Sequence, residues 1–229
     1  MSWAREAGAV FAKEVRSEWR TRVALSSVAL FAVGALTLIG LSLYVGQGQT
    51  GPQTAAALLW VLVFFTAATG LGRAYVLEEE RGTALALRLT ARATAVWAGK
   101  FAANGLLLLA LAALSAPVLL SLLKVNAANL VLLACVLTLG CVGIAAVFTM
   151  TSALVAQSSA KGGLLAALSF PVLVPLLVAA VHGTNAALGV GNESGAFAAG
   201  AGDVQLLGSY AVVAVTASLM LIDFVWNEG

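Results

Sequence analysis

The chain has 229 residues, of which 61% are apolar and only 10% charged, and its mean hydropathy is +1.00. An average soluble domain carries roughly a quarter charged residues, so a water-soluble fold is excluded. The net charge of +2 is the near cancellation of 12 basic and 10 acidic residues; no basic patch suits nucleic acid, which is not expected as a partner.

At the start of the chain, Trp3, Ala7, Val10, Phe11, Val15 and Trp19 recur at three- and four-residue spacing. At roughly 100° per residue, Arg5, Lys13, Arg16 and Arg20 gather opposite them. Residues 1–22 are therefore predicted as an amphipathic helix lying on a membrane surface. Glu14 and Glu18 project toward its apolar side, where lipid is a poor neighbour. They are expected to face other protein, with Arg22, four residues beyond Glu18, as a partner. A signal peptide has a short basic start followed at once by an apolar stretch, which this mixed-charge segment lacks, so no cleaved targeting segment is expected.

No charged residue lies between Arg22 and Arg73, Lys100 and Lys124, Lys124 and Lys161, Lys161 and Glu193, or Asp203 and Asp223. Each interval is long enough to cross a bilayer, which takes about 20 apolar residues. Six spans are predicted, at residues 23–45, 55–72, 101–123, 130–156, 162–183 and 205–222. They are continuously apolar rather than alternating, and backbone groups in lipid must be satisfied within their own segment, so the spans are helices and not barrel strands. The expected fold is an all-α integral membrane protein, one transmembrane domain over residues 1–229. Eleven of the 12 basic residues fall before span one, between spans two and three, or at Lys161. The positive-inside rule then places both termini and the loop of residues 73–100 in the cytoplasm. Trp19, Tyr44, Tyr75, Trp97 and Trp226 fall near span ends, where amphipathic rings prefer the headgroup layer.

Within that loop, Glu78, Glu79, Glu80 and Arg81 precede Gly82 and Thr83. Gly82 is expected to end the helix leaving the membrane, and Thr83 to cap a new short one beginning at Ala84 and Leu85. Leu85, Leu87 and Leu89 would give that helix apolar surface, better housed in a partner's groove than in water; the bland alternative is a solvated connector. Residues 183–204, on the other face, are rich in Gly and Ala and read either as a re-entrant or interfacial piece or as a mobile loop. Asn192-Glu193-Ser194 is formally a glycosylation sequon and is assigned no role.

Several chemistries are absent. No phosphate-cradling G-x-x-x-x-G-K-[ST] run, H-E-x-x-H or G-x-S-x-G is present, so the chain is not expected to be an enzyme. None of the predicted spans contains Asp, Glu, Lys or Arg, which argues against an ion-coupled carrier. Asn104, Ser115, Thr138, Thr149, Thr151, Ser152 and Ser169 are read as interhelical hydrogen-bonding groups. Gly140 and Gly143 allow close helix approach. Pro171 and Pro175 each delete a backbone donor on one face of span five, where a kink or unwound turn is expected. His182, the only histidine, is read as a hydrogen-bonded residue at the outer edge, with haem-iron ligation as the chemical alternative. Met150 and Met220 are read as packing residues. Cys135 and Cys141 share one apolar span and are read as small buried residues, without disulfide or metal.

The leading helix with Phe11-Ala-Lys-Glu14, the second span followed by Glu78-Glu-Glu-Arg-Gly-Thr83, the loop closing on Gly99-Lys100, and Lys161-Gly-Gly163 leading to Pro171 and Pro175 together resemble the cytochrome c maturation protein B family, the haem-exporter permeases. The resemblance covers essentially the whole chain. Ala84-Leu85 departs from the family's usual Leu-Glu, and the proline common soon afterwards is missing around residues 90–92. The resemblance implies an ABC-2-type permease of the bacterial inner membrane, without ATPase activity of its own and paired as a homodimer. Its partners would be cytochrome c maturation protein A as the ATPase, proteins C and D, and the haem chaperone E. ATP hydrolysis in the partner subunit would be coupled either to export of haem as cargo or to release of the haem-loaded chaperone; residues 78–89 would be the coupling element. Two other classes stay open, an ABC-2 permease for a drug, lipid or polysaccharide and a non-transporting membrane scaffold.

Overall fold

The computed structural model describes residues 2–46, 51–71, 75–76, 78, 82–83, 87, 89–156, 164–191 and 196–227. Among these residues the chain is helical and contains no strand. In order come α1 (Trp3–Thr21), α2 (Val23–Gly46), α3 (Pro52–Gly70), α4 (Ala93–Leu122), α5 (Leu130–Ala156), α6 (Leu164–Ala187), a 3-10 turn (Phe197–Gly200) and α7 (Ala201–Asn227).

Capping chemistry explains several boundaries. Arg22 adopts a left-handed φ of 53° while its N–H still reaches the Glu18 carbonyl, closing α1 and redirecting the chain into α2. Pro52 opens α3 at a first-turn position, where its missing donor costs nothing. Lys124, at φ 54°, ends α4: the Val125 N–H returns to the Leu120 carbonyl at 3.0 Å, the closing bond of a left-handed C-cap. Asn129 caps α5, its side-chain oxygen accepting the Leu132 N–H at 2.9 Å.

Among the described residues, five helical stretches are long and apolar enough to cross a membrane: 52–70, 93–122, 130–156, 167–187 and 197–226. The first predicted span lies on α2, where Ala29–Ser42 forms a shorter apolar stretch. The boundaries of α4, α6 and α7 extend the prediction. Charge marks where hydrocarbon ends, whereas a helix continues wherever protein neighbours satisfy it. At 1.5 Å per residue, α4 is about 45 Å long against about 30 Å of hydrocarbon, so its first turns can stand clear of the bilayer. The helical extensions beyond the predicted spans carry charge: Lys100 lies inside α4, and Asp203 and Asp223 inside α7.

The helix α5 forms the centre, packed by α3, α4, α6 and α7 and buried along most of its length. Gly140 and Gly143 permit this. A Cβ at Gly140 would lie 2.1 Å from the Trp60 ring of α3, and one at Gly143 would lie 2.2 Å from Leu176 of α6. The Trp60 ring is itself fixed, its Nε1 donating to Thr184 Oγ1 at 2.9 Å. Interhelical hydrogen bonds join Asn104 to Thr149 at 2.9 Å and Thr151 to Ser169 at 2.8 Å. Ser115 and Thr138 bond to carbonyls of their own helices. Cys141 is buried and Cys135 half-buried, both free. Met150 belongs to a buried cluster, whereas Met220 is exposed.

Within the interval 183–204, residues 183–187 end α6, 188–191 form a turn, and the 3-10 turn leads into α7 at Ala201; Asn192, Glu193 and Ser194 lie outside the described residues.

Candidate functional site

A second apolar cluster sits apart from the main core and joins α1, the segment following α3, and α4, α5 and α7 through Val10, Tyr75, Val76, Val96, Trp97, Met150 and Ile222. Its assembly starts with α1. Gly99 of α4 lets that helix come close: a Cβ there would meet the Ala7 carbonyl oxygen and the Val10 side chain, each at 2.7 Å. The face of α1 turned inward is not the predicted apolar stripe as a whole. Val10 is buried and Ala7 and Phe11 half-buried, but Trp3, Val15 and Trp19 are exposed. Glu6, Glu14 and Glu18 take part of the inner face instead.

That rotation creates the site. Lys100, its side chain wholly buried, places Nζ 2.6 Å from Glu14 Oε1 and 3.2 Å from Glu78 Oε1. Lys13 also pairs with Glu78 Oε1, and the Thr83 hydroxyl donates to Glu78 Oε2. Lys100 Nζ stands 5.2 Å from the centre of the Tyr75 ring, within cation–π range. The Tyr75 N–H donates to Ser152 Oγ of α5 at 3.2 Å, and the Tyr75 ring meets Trp226 of α7 edge-on. One buried ammonium thus ties three separate stretches of chain, and Tyr75 ties the same segment to two more helices.

The electrostatics follow from that geometry. Burial pushes the Glu78 carboxyl up, but Lys100, together with the hydrogen bonds from Lys13 and Thr83, outweighs it and holds the group down at about 2. Burial pushes the Tyr75 phenol well above its ordinary range, and the Glu14 and Glu78 carboxylates push it the same way. At neutral pH the Glu78 carboxylate is ionised and the Tyr75 phenol neutral.

Gly82 has φ +67° and the Thr83 N–H reaches the Glu78 carbonyl at 3.0 Å, the pattern in which a left-handed glycine ends a helix. The Thr83 carbonyl then accepts the Leu87 N–H at 3.1 Å, as a capping residue's does. Other expectations for the segment are redistributed. Glu78 is turned inward. Leu87 packs against the second cluster, while Leu89 is 80% exposed. Glu79, Glu80, Arg81 and Leu85 lie outside the described residues, as do Lys161, Gly162 and Gly163.

Of the five aromatic residues assigned to the headgroup layer, Trp19 and Tyr44 are exposed, whereas Tyr75 and Trp97 are buried. Trp97 stacks on Phe101 with ring centres 4.9 Å apart. The helix α6 is continuous through Pro171 and Pro175, and both prolines are on its exposed side. Between them, the Val172 carbonyl accepts the Tyr210 hydroxyl at 2.5 Å. His182 is far along α6 from the ionic site and places Nδ1 2.8 Å from Asp203 Oδ2, joining the ends of α6 and α7. No group of three metal-ligating side chains occurs among the described residues.

Reasoning from sequence missed Lys100 and Lys13 as members of the site. The available signals were Glu14 on the wrong side of an amphipathic helix and a lysine directly following the apolar Trp97-Ala-Gly run.

An all-α, multi-pass membrane protein with a buried ionic junction at one end of its bundle is the class these features define. The family model described as CcmB protein matches residues 5–223, and the chain belongs to that family. It is a membrane protein of the haem-export system of cytochrome c biogenesis. No curated protein matches the chain.

Proposed function

We propose that this chain is the permease subunit of an ABC-type complex in the bacterial inner membrane, with six spans formed by α2 to α7 and both termini in the cytoplasm. It pairs with a second copy and carries no ATPase activity. Cytochrome c maturation protein A supplies ATP hydrolysis, proteins C and D are its neighbours, and haem chaperone E is served by the complex. Hydrolysis is coupled either to haem export or to release of the loaded chaperone. On the export reading haem is the cargo; His182, already held by Asp203, acts as an outer strut.

The observation that carries this reading is the anchoring of the segment after α3. Its exposed Leu89 offers apolar surface to a partner, while Glu78 in the same segment is clamped through Lys100 to α1 and α4. A partner docked at Leu89 would therefore bear on the same segment that Glu78 clamps to the bundle. Burying one leucine is worth about 1.5–3 kcal/mol before ordering costs are subtracted. The test is co-purification of the ATPase subunit with Leu89→Asp. Binding should fall sharply with the spans still inserted; Glu79→Lys with Glu80→Lys should weaken it less and in a salt-dependent manner. Undiminished ATPase binding by Leu89→Asp would make the segment a solvated connector. Orientation is read separately from Ala86→Cys in a variant lacking Cys135 and Cys141: an impermeant thiol reagent should reach it only from the cytoplasmic side.

A further inference from the structure

Around the axis of α1 the side chains fall into three sectors. The first, with Glu6, Ala7, Val10, Phe11 and Glu14, faces the rest of the protein. The second is exposed and apolar, with Gly8, Ala12, Val15 and a Trp19 that is 77% exposed. The third is exposed and basic, with Arg5, Lys13, Arg16 and Arg20. These sectors adjoin one another at roughly 100° per residue. The helix has thus sorted its charges by sign. Glu6 contacts Arg92, with its Oε2 3.3 Å from the Arg92 backbone nitrogen, and Glu14 is held by Lys100, so the outward charge is wholly basic.

We propose that this outward surface of α1 docks on anionic phospholipid headgroups, with Val15 and Trp19 in the boundary between headgroups and acyl chains and Arg5, Arg16 and Arg20 on lipid phosphates, Lys13 being held by Glu78. The inference rests on the reading that the chain spans a membrane with α1 at its surface. Two observations favour a bilayer over an acidic protein. The apolar and basic sectors lie side by side, which suits a layer that is hydrocarbon below and phosphate above. The chain also turns at the left-handed Arg22 directly into α2, whose apolar stretch Ala29–Ser42 follows within two turns, so α1 is tethered at headgroup level.

The test uses the full chain carrying Cys135→Ala, Cys141→Ala and Ala12→Cys, labelled at residue 12 with a fluorophore and reconstituted in phosphatidylcholine nanodiscs. A minor fraction of brominated phosphatidylglycerol, or the same fraction of brominated phosphatidylcholine, reports which lipid collects beside the helix. Each base at an anionic surface favours it by about fivefold, so phosphatidylglycerol should be enriched about tenfold or more, less at high salt. Arg5→Gln with Arg16→Gln and Arg20→Gln should abolish the enrichment while quenching persists. The corresponding triple lysine variant should retain it, which separates charge from loss of folding. Equal quenching by the two lipids in the unaltered basic sector would overturn the lipid selectivity alone. Absence of quenching by either lipid would overturn the surface placement itself and leave an acidic protein as the occupant. Enrichment undiminished in the glutamine variant would place the anionic lipid elsewhere.

Discussion

Lys100 is wholly buried and in contact with two carboxylates, which makes it the residue where charge and packing are most tightly joined. Removing one member of a buried ionic group costs about 3–5 kcal/mol, because the other members stay behind unpaired. Lys100→Met should therefore lower the thermal midpoint of the detergent-solubilised protein steeply. Adding Glu14→Gln and Glu78→Gln should restore most of the loss, since a neutral, well-filled site no longer strands an ion. If the single variant melts as the parent does, the junction contributes no stability.

Glu78 supports a second expectation. Its carboxyl is held at about 2 against an ordinary value of 4.5, so the folded state favours the ionised form. That contribution is fully present above about pH 4.5 and fades as pH falls toward about 2. Melting curves across that range should show a loss of stability with acid that is smaller in Glu78→Gln. Glu78 was legible in the sequence only as one of three consecutive acids on a segment leaving the membrane. Nothing local distinguishes it from Glu79 and Glu80, because its inward turn depends on Lys100 of α4 and Lys13 of α1, both remote in the chain.

At the level of elements, the two α5 glycines should differ in their tolerance of a methyl group. A Cβ at Gly140 meets the rigid Trp60 ring, held in place by Thr184, whereas one at Gly143 meets the end of a flexible leucine. Overpacking typically costs about 1–3 kcal/mol, so Gly140→Ala should lie toward the upper end and Gly143→Ala toward the lower. Gly208→Ala, with open space around it, should be neutral. Comparative thermal melting checks the order. Equal losses at residues 140 and 143 would show that Trp60 yields as readily as Leu176.

Elements were legible in proportion to how much lipid and backbone chemistry dictate them. Long apolar runs had to be helices, and Gly82 with Thr83 had to punctuate the chain, whichever neighbours they met. The rotation of α1 was not legible in the same way. Its apolar stripe and its acids compete for the inner face, and Gly99 decides the outcome by admitting Ala7 and Val10 against α4. For the same reason the start of α4 escaped detection: Arg92 and Lys100 bracket Ala93 to Gly99 with charge, which reads as loop, yet contacts with α1 and the segment after α3 hold it helical.

For the molecule as a whole, the missing phosphate-binding loop leads to the expectation that the purified chain neither binds nor hydrolyses ATP by itself. Turnover in a preparation shown free of any ATPase subunit would refute this. The proposed six-span topology rests on charge distribution, which a single sequence displays openly. The pairing of copies and the identity of subunit neighbours do not, because the exposed apolar faces of α2, α6 and α7 serve lipid and protein contacts with the same residues.

The length of α4 has a mechanical meaning. Pro117 lies inside it, and an interior proline is a natural pivot. From that pivot to Lys100 the helix is a lever arm of about 25 Å at 1.5 Å per residue, so a swing of about 10° sweeps its buried ammonium through an arc of about 4 Å. Such an arc exceeds the reach of both of its carboxylate contacts. If the proposed coupling swings this arm, the proximal part of α4 and the leading helix would have to travel with Glu78, or the junction would break and reform at each swing.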